Sequence, residues 1–132
     1  MISFMTTRFG VIEIPEEKII DFPEGIPGFP FIKRYVLMDY KDTALKWLQA
    51  VDDPDVAFIV VDPLIIKPDF NISLDDSMRA VLNLINDEDL AVLVIIRREG
   101  DNIIANFQCP LLLNAGTMKG VQIFLDIAPV EV

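Results

Sequence analysis

The chain has 132 residues, enough for one domain with a real core and too few for two. Its 52% hydrophobic and 24% charged residues are those of a globular protein, and a net charge of −10 argues against direct nucleic-acid or anionic-membrane contact while favouring a basic protein partner. With no histidine and one cysteine, Cys109, the chain lacks the parts for imidazole-based Ser or Cys catalysis, for an internal disulfide and for the common zinc sites.

The N-terminal "MISFMTTRFG" has no basic stretch ahead of an apolar one, so it does not read as a signal peptide. Val11 to Ile14 and "KIIDF" (18 to 22) read as short strands joined by a turn at "PEEK". "FPEGIPGFP" (22 to 30) follows, with three prolines and two glycines in nine positions. Proline removes ladder donors and glycine permits positive φ, so this is a structured loop rather than a helix or central strand. Phe22, Ile26 and Phe29 must either fold into the core or stand exposed as a rigid docking surface, which would lose little entropy on binding.

Further strands are predicted at "RYVLMDY" (34 to 40), "LKWLQAV" (45 to 51) and "VAFIVVD" (56 to 62). Between and after the last two lie Asp52, Asp53, Asp55 and Asp62. "DDPD" is a turn sequence: aspartate accepts local backbone donors and proline fixes φ. Two other roles fit the same carboxylates, an acidic surface for a basic partner and a catalytic or cation site, although the calcium-loop spacing D-x-D-x-D-G is absent.

One helix is predicted, over 74 to 85. Leu74, Met78, Val81, Leu82 and Ile85 make a single apolar stripe, with Ser73, Asp75 and Asp76 as cap and first-turn acids. "LAVLVIIRR" (90 to 98), the turn "EGDN" and "IIANFQC" (103 to 109) read as a hairpin, with Cys109 in its second strand as a structural thiol. "LAVLVII" is far short of the roughly 20 apolar residues of a membrane span. "PLLLN" and "GVQIFLD" complete a set of eight or nine short strands. The expected fold is mostly β, a small single-domain barrel or sandwich with one short amphipathic helix, in a cytoplasmic protein.

Taken together, "TRFGVIEIPEEKIIDFPEGIPGF" (Thr7 to Phe29), "WLQAVDDPDVAFIVVDP" (Trp47 to Pro63), "NFQCPLLLN" (Asn106 to Asn114) and "GVQIFL" (Gly120 to Leu125) resemble the FliW family of bacterial flagellar assembly factors, in order and over nearly the whole chain. The resemblance implies one FliW-like domain over 1–132, a β-barrel-like fold, no enzymatic activity and no cofactor. It implies two protein partners, flagellin and the small basic translational repressor CsrA. Phe22, Ile26, Phe29, Asp52, Asp53, Asp55 and Asp62 are the candidate contact residues; no catalytic or metal-binding residue is expected. The tail "DIAPVEV" (Asp126 to Val132) departs from the family pattern in having no aromatic, basic or histidine residue. A small carboxylate-dyad or magnesium enzyme and an acidic adaptor for an unrelated basic protein are the alternatives.

Overall fold

The computed structural model describes residues 1–127, 130 and 131. Eleven strands and two short α-helices follow one another as β1 (Ile2–Thr6), β2 (Gly10–Ile14), β3 (Ile20–Asp21), β4 (Arg34–Asp39), β5 (Lys46–Ala50), β6 (Ala57–Val61), α1 (Pro63–Ile66), α2 (Asp76–Leu82), β7 (Leu90–Glu99), β8 (Asn102–Ala105), β9 (Leu111–Asn114), β10 (Lys119–Gln122) and β11 (Val130–Glu131). Seven of them close a barrel in the order β3-β4-β5-β6-β7-β9-β10, with β10 returning to β3.

Strand β7 makes the closure. Its first half pairs with β9 (Leu90↔Asn114 to Leu93↔Leu111) and its second half with β8 (Ile96↔Ala105 to Glu99↔Asn102). On the opposite edge β6 pairs only with Val94 to Ile96. One ten-residue strand therefore serves the barrel at one end and an outer extension, β8 with β11, at the other.

Alternation decides what each strand buries. Ile20, Tyr35, Leu48, Ala50, Val60, Leu111 and Leu113 point inward with Phe22 and Ile26 and form the barrel core. Outward-facing Val92, Leu112 and Val121 are covered by Leu82 of α2 and by Leu84 just after it; outward-facing Val61, Val94 and Ala105 are covered by Phe107, Ile66 and Phe70. The segment from 63 to 89 is thus a jacket over the outside of the barrel.

Several expectations are corrected. Val11 to Ile14 pairs with β1, a strand the sequence reading passed over, in a separate hairpin rather than with residues 18 to 22. The predicted strand over 18 to 22 shrinks to Ile20–Asp21, because Glu16–Lys18 form a 3-10 turn. The described residues hold two α-helices, not one. Pro63–Ile66 is helical because Asp62 caps it, its carboxylate accepting from the Leu64 N–H at 2.9 Å, with proline at the first helical position.

The second helix is shorter than its apolar stripe. Asp75 caps it by accepting from the Met78 N–H at 2.8 Å. It stops at Leu82, where Asn83 enters the left-handed region at φ 53°. Leu82 is fully buried, but Ile85 lies past this stop and is 89% exposed; Leu84 is buried in its place. Cys109 is not in a strand. It sits half-buried in the turn between β8 and β9. Of the tail, Ala128, Pro129 and Val132 lie outside the described residues.

Candidate functional site: the aromatic and acidic end of the barrel

The proline-glycine loop and the aspartate turn lie side by side over one end of the barrel. Residues 22 to 33 leave β3, cross the barrel mouth and return as β4. The loop is pinned at its base by the Phe22 N–H donating to the Lys33 carbonyl at 2.7 Å. Gly25 takes φ +68°, and a Cβ there would meet the Pro30 carbonyl oxygen at 2.7 Å, so the chain folds back on itself only with glycine at this position.

Phe22 and Ile26 are buried at 0% and 2% exposure. Of the two roles their sequence allows, the structure gives them the core role, and neither ring nor branch is reachable as a direct contact. Phe22 is seated by a complementary absence: a Cβ on Gly120 of β10 would come within 2.6 Å of its ring. Its other face meets Tyr35 edge-on, with ring centroids 5.4 Å apart. Tyr35 is itself fully buried with no hydrogen-bond partner for its hydroxyl, and burial, helped by the charge of Asp53, pushes that hydroxyl up to about 12.

Phe29 differs. It is 38% exposed and stacks edge-on against Phe58 of β6 at 5.6 Å. Two residues further on, Phe31 is 93% exposed. The sequence reading ended the loop at Pro30 and missed Phe31. An apolar residue directly after "GFP" is the signal that could have found it, since the same prolines that stiffen the loop hold this ring in solvent.

The aspartates of the neighbouring turn each have a separate bond. Asp52 receives two hydrogen bonds from Arg34, Nε at 3.0 Å and Nη2 at 2.5 Å, a bidentate pair that ties the turn to the start of β4. That guanidinium, mainly through these bonds, holds the Asp52 carboxyl below the usual aspartate range. Asp53 accepts from the Asp55 backbone N–H at 3.0 Å, closing the turn on itself. Asp55 accepts from the Thr7 hydroxyl, and the Thr7 N–H donates to the Pro54 carbonyl at 2.9 Å. The turn therefore also anchors the β1–β2 hairpin, whose Phe9 and Arg8 lie against Trp47.

The structure thus brings Phe29, Asp52, Asp53 and Asp55 to one end of the molecule above Phe22 and Ile26, and adds Phe31 and Arg34. Asp62 is not among them. It follows β6, so it sits at the far end of that strand as the cap of α1. Among the described residues, no three His, Cys, Asp or Glu side chains converge as cation ligands. No helix among them is long and apolar enough to cross a membrane.

The family model described as FliW protein matches residues 3–132. The chain belongs to the FliW family. It is 38% identical to the flagellar assembly factor FliW of Caldanaerobacter subterraneus subsp. tengcongensis, over 92% of this chain and 83% of that one. It is 36% identical to the FliW of Treponema denticola, over 92% of this chain and 84% of the other. A crystal structure of the flagellar assembly factor FliW superposes with a TM-score of 0.88 at 34% identity, covering 96% of this chain and 90% of the solved one. The FliW fold is therefore shared over nearly the whole chain, and the barrel end just described is a surface of a FliW protein.

Proposed function

We propose that this protein is a partner-switching regulator of flagellin supply in the cytoplasm. Bound to flagellin, it acts as that protein's assembly factor. Free of flagellin, it binds CsrA and relieves CsrA's repression of flagellin synthesis. It works by protein–protein contact alone, without catalysis, cofactor, membrane contact or direct contact with nucleic acid.

Membership of the FliW family over residues 3–132 carries this reading. The local surface supports it. Phe29 and Phe31 offer exposed aromatic area on a pre-stiffened loop, the kind of patch that binds with a small ordering cost. Beside them Asp52, Asp53 and Asp55 add to the field of a chain with net charge −10, which attracts a basic partner such as CsrA.

The decisive experiment is a pull-down from a flagellated cell lysate with this protein as bait, followed by kinetics with purified partners. Flagellin and CsrA among the retained proteins support the reading; neither appearing would leave only an acidic adaptor for something else. In the kinetic step, Asp52→Lys with Asp53→Lys should slow CsrA association and flatten its salt dependence, because steering acts over a screening length of about 8 Å at physiological salt. Flagellin binding should change less, if Phe31→Ala weakens it as an apolar contact should. An unchanged CsrA rate and salt slope in the double variant would leave these aspartates as turn residues only.

A further inference from the structure

Strand β7 has one stretch of edge that no strand among the described residues pairs with. Its neighbour β6 pairs Val61 with Val94, Val60 with Ile95 and Ile59 with Ile96, and then leaves the sheet. Continuing that register would set Asp62 opposite Leu93 and Pro63 opposite Val92. Proline has no N–H to give to a ladder, and Asp62 turns the chain outward into α1. Among the described residues, the first half of β7 has no strand partner on this side.

The backbone groups that face the vacated edge can be assigned. The Ile95 carbonyl accepts from Asn106 on the β8 side, and the Asp89 carbonyl accepts from Ala115 on the β9 side. Odd-numbered residues of this stretch therefore turn their backbone groups toward β8 and β9, and Leu90 and Val92 turn theirs toward the missing strand. The Leu90 N–H is taken by the Asp87 carbonyl. Among the described residues the Leu90 carbonyl and both the N–H and carbonyl of Val92 have no bonding partner. They open into a groove of about 550 Å³ lined by Leu90 to Leu93 on one wall and by Asp62, Pro63, Leu64, Phe70 and Ile72 on the other.

We propose that this groove binds an extended, alternately apolar peptide segment of another protein, flanked by basic residues, which adds a short strand beside Leu90 to Leu93. Unpaired main-chain donors and acceptors in an apolar cleft call for main chain rather than side chains as the ligand. An added residue opposite Val92 exchanges both of its hydrogen bonds with it, and its own side chain falls on the Val92 face of the sheet, which Ile72 also packs against. The rim selects charge. Lys46 reaches the groove but is ion-paired to Asp39 at 2.7 Å. Asp62, the carboxylate of the lining, has no ion-pair partner among the described residues, so the groove's uncompensated charge is negative. Four edge residues span about 13 Å, so the added strand is short and its binding weak and reversible. The groove lies away from the Phe29 and Phe31 end, so its occupancy does not depend on flagellin or CsrA binding there.

The test is amide hydrogen exchange and chemical-shift mapping on the isotope-labelled full chain, with and without a capped peptide, Lys-Val-Thr-Val-Thr-Val-Lys. In the free protein the Val92 N–H should exchange faster than those of Ala91 and Leu93, which point to β9. Saturating peptide should slow Val92 by about tenfold or more and shift Leu64 and Ile72. The same peptide N-methylated at alternate residues should not bind, and Leu64→Lys, at a half-exposed position that leaves the core intact, should abolish binding while melting as the parent does. A Val92 N–H already protected in the free, dilute protein overturns the proposal. So does protection that appears with protein concentration alone, which would assign the edge to a second copy of the chain. Binding that maps to the Phe31 loop, or equal binding of the N-methylated peptide, also overturns it.

Discussion

Two proline-containing turns lie side by side at one end of this barrel, and they are held by different physics. The loop from Phe22 to Lys33 is fastened from below, by Phe22 and Ile26 sunk into the core and by a backbone fold-back at Gly25. The turn from Asp52 to Asp55 is fastened at the surface, by carboxylates that accept from Arg34, Thr7 and their own backbone. Burial of a ring removes apolar area from water and is insensitive to salt and pH. Exposed ion pairs work in high dielectric, and both partners of the Asp52–Arg34 pair keep nearly half of their side-chain surface in solvent. Prolines punctuate both segments, so proline alone does not tell which kind of anchor a turn has.

That contrast can be broken most directly at Phe22. Phe22→Ala should cost about 3 to 5 kcal/mol in denaturant unfolding, the range for a fully buried ring. A loss below 1 kcal/mol would mean that the loop does not depend on its core anchor. Gly25→Ala should follow, at roughly 1 to 3 kcal/mol, because the new methyl meets the Pro30 carbonyl and the backbone is held at positive φ. Calorimetric melting would show it as a lowered midpoint.

Phe29→Ala tests the half-exposed member of the same loop. Removing its edge-on contact with Phe58 should cost about 0.5 to 1.5 kcal/mol and leave the fold cooperative. Paired with Phe31→Ala, which should leave the melting temperature unchanged, it separates stability from docking in a binding assay.

The smallest effect belongs to the aspartate turn. Asp52→Asn should cost about 0.2 to 1 kcal/mol at neutral pH, and less in high salt. The pH dependence follows from the direction of the shift. Arg34 depresses the Asp52 carboxyl below its ordinary 3.8, so the pair's contribution is fully present above that value and is lost as pH falls through the depressed one. Wild type and Asp52→Asn should therefore begin to converge in stability as pH falls below about 4 and meet only below the depressed value, measured by urea titration. Curves that stay parallel there would remove the charge from the account.

Much of the fold is legible in the residues. β4, β5, β6 and β7 are runs of branched and aromatic residues bounded by turn formers, and all stand within two residues of their predicted starts. The family blocks are legible too, being contiguous. The fate of the loop aromatics is not. Phe22 and Phe31 are the same residue type on either side of the same prolines, and only Gly120, nearly a hundred positions away, makes room for one of them. In the sequence Asp62 groups with the other aspartates because it ends the same strand motif. Strand β6 carries it to the opposite end of the barrel, where capping α1 is its structural role.

An acidic body without histidine, a set of short strands, a stiff proline-glycine loop and a self-closing aspartate turn are all legible in the residues alone. Each is a local property: charge, φ restriction and side-chain-to-backbone bonding act within a few residues. That β1 rather than β3 is the partner of β2, that one long β7 closes the barrel on β9 beyond the end of β6, and that Val92 has no strand beside it among the described residues are properties of the folded whole. The reason is that hydrophobic periodicity states which face of a strand is buried and is silent on which strand lies beside it. Pairing across the barrel is chosen by the fit of the whole core, and no window of sequence contains that fit.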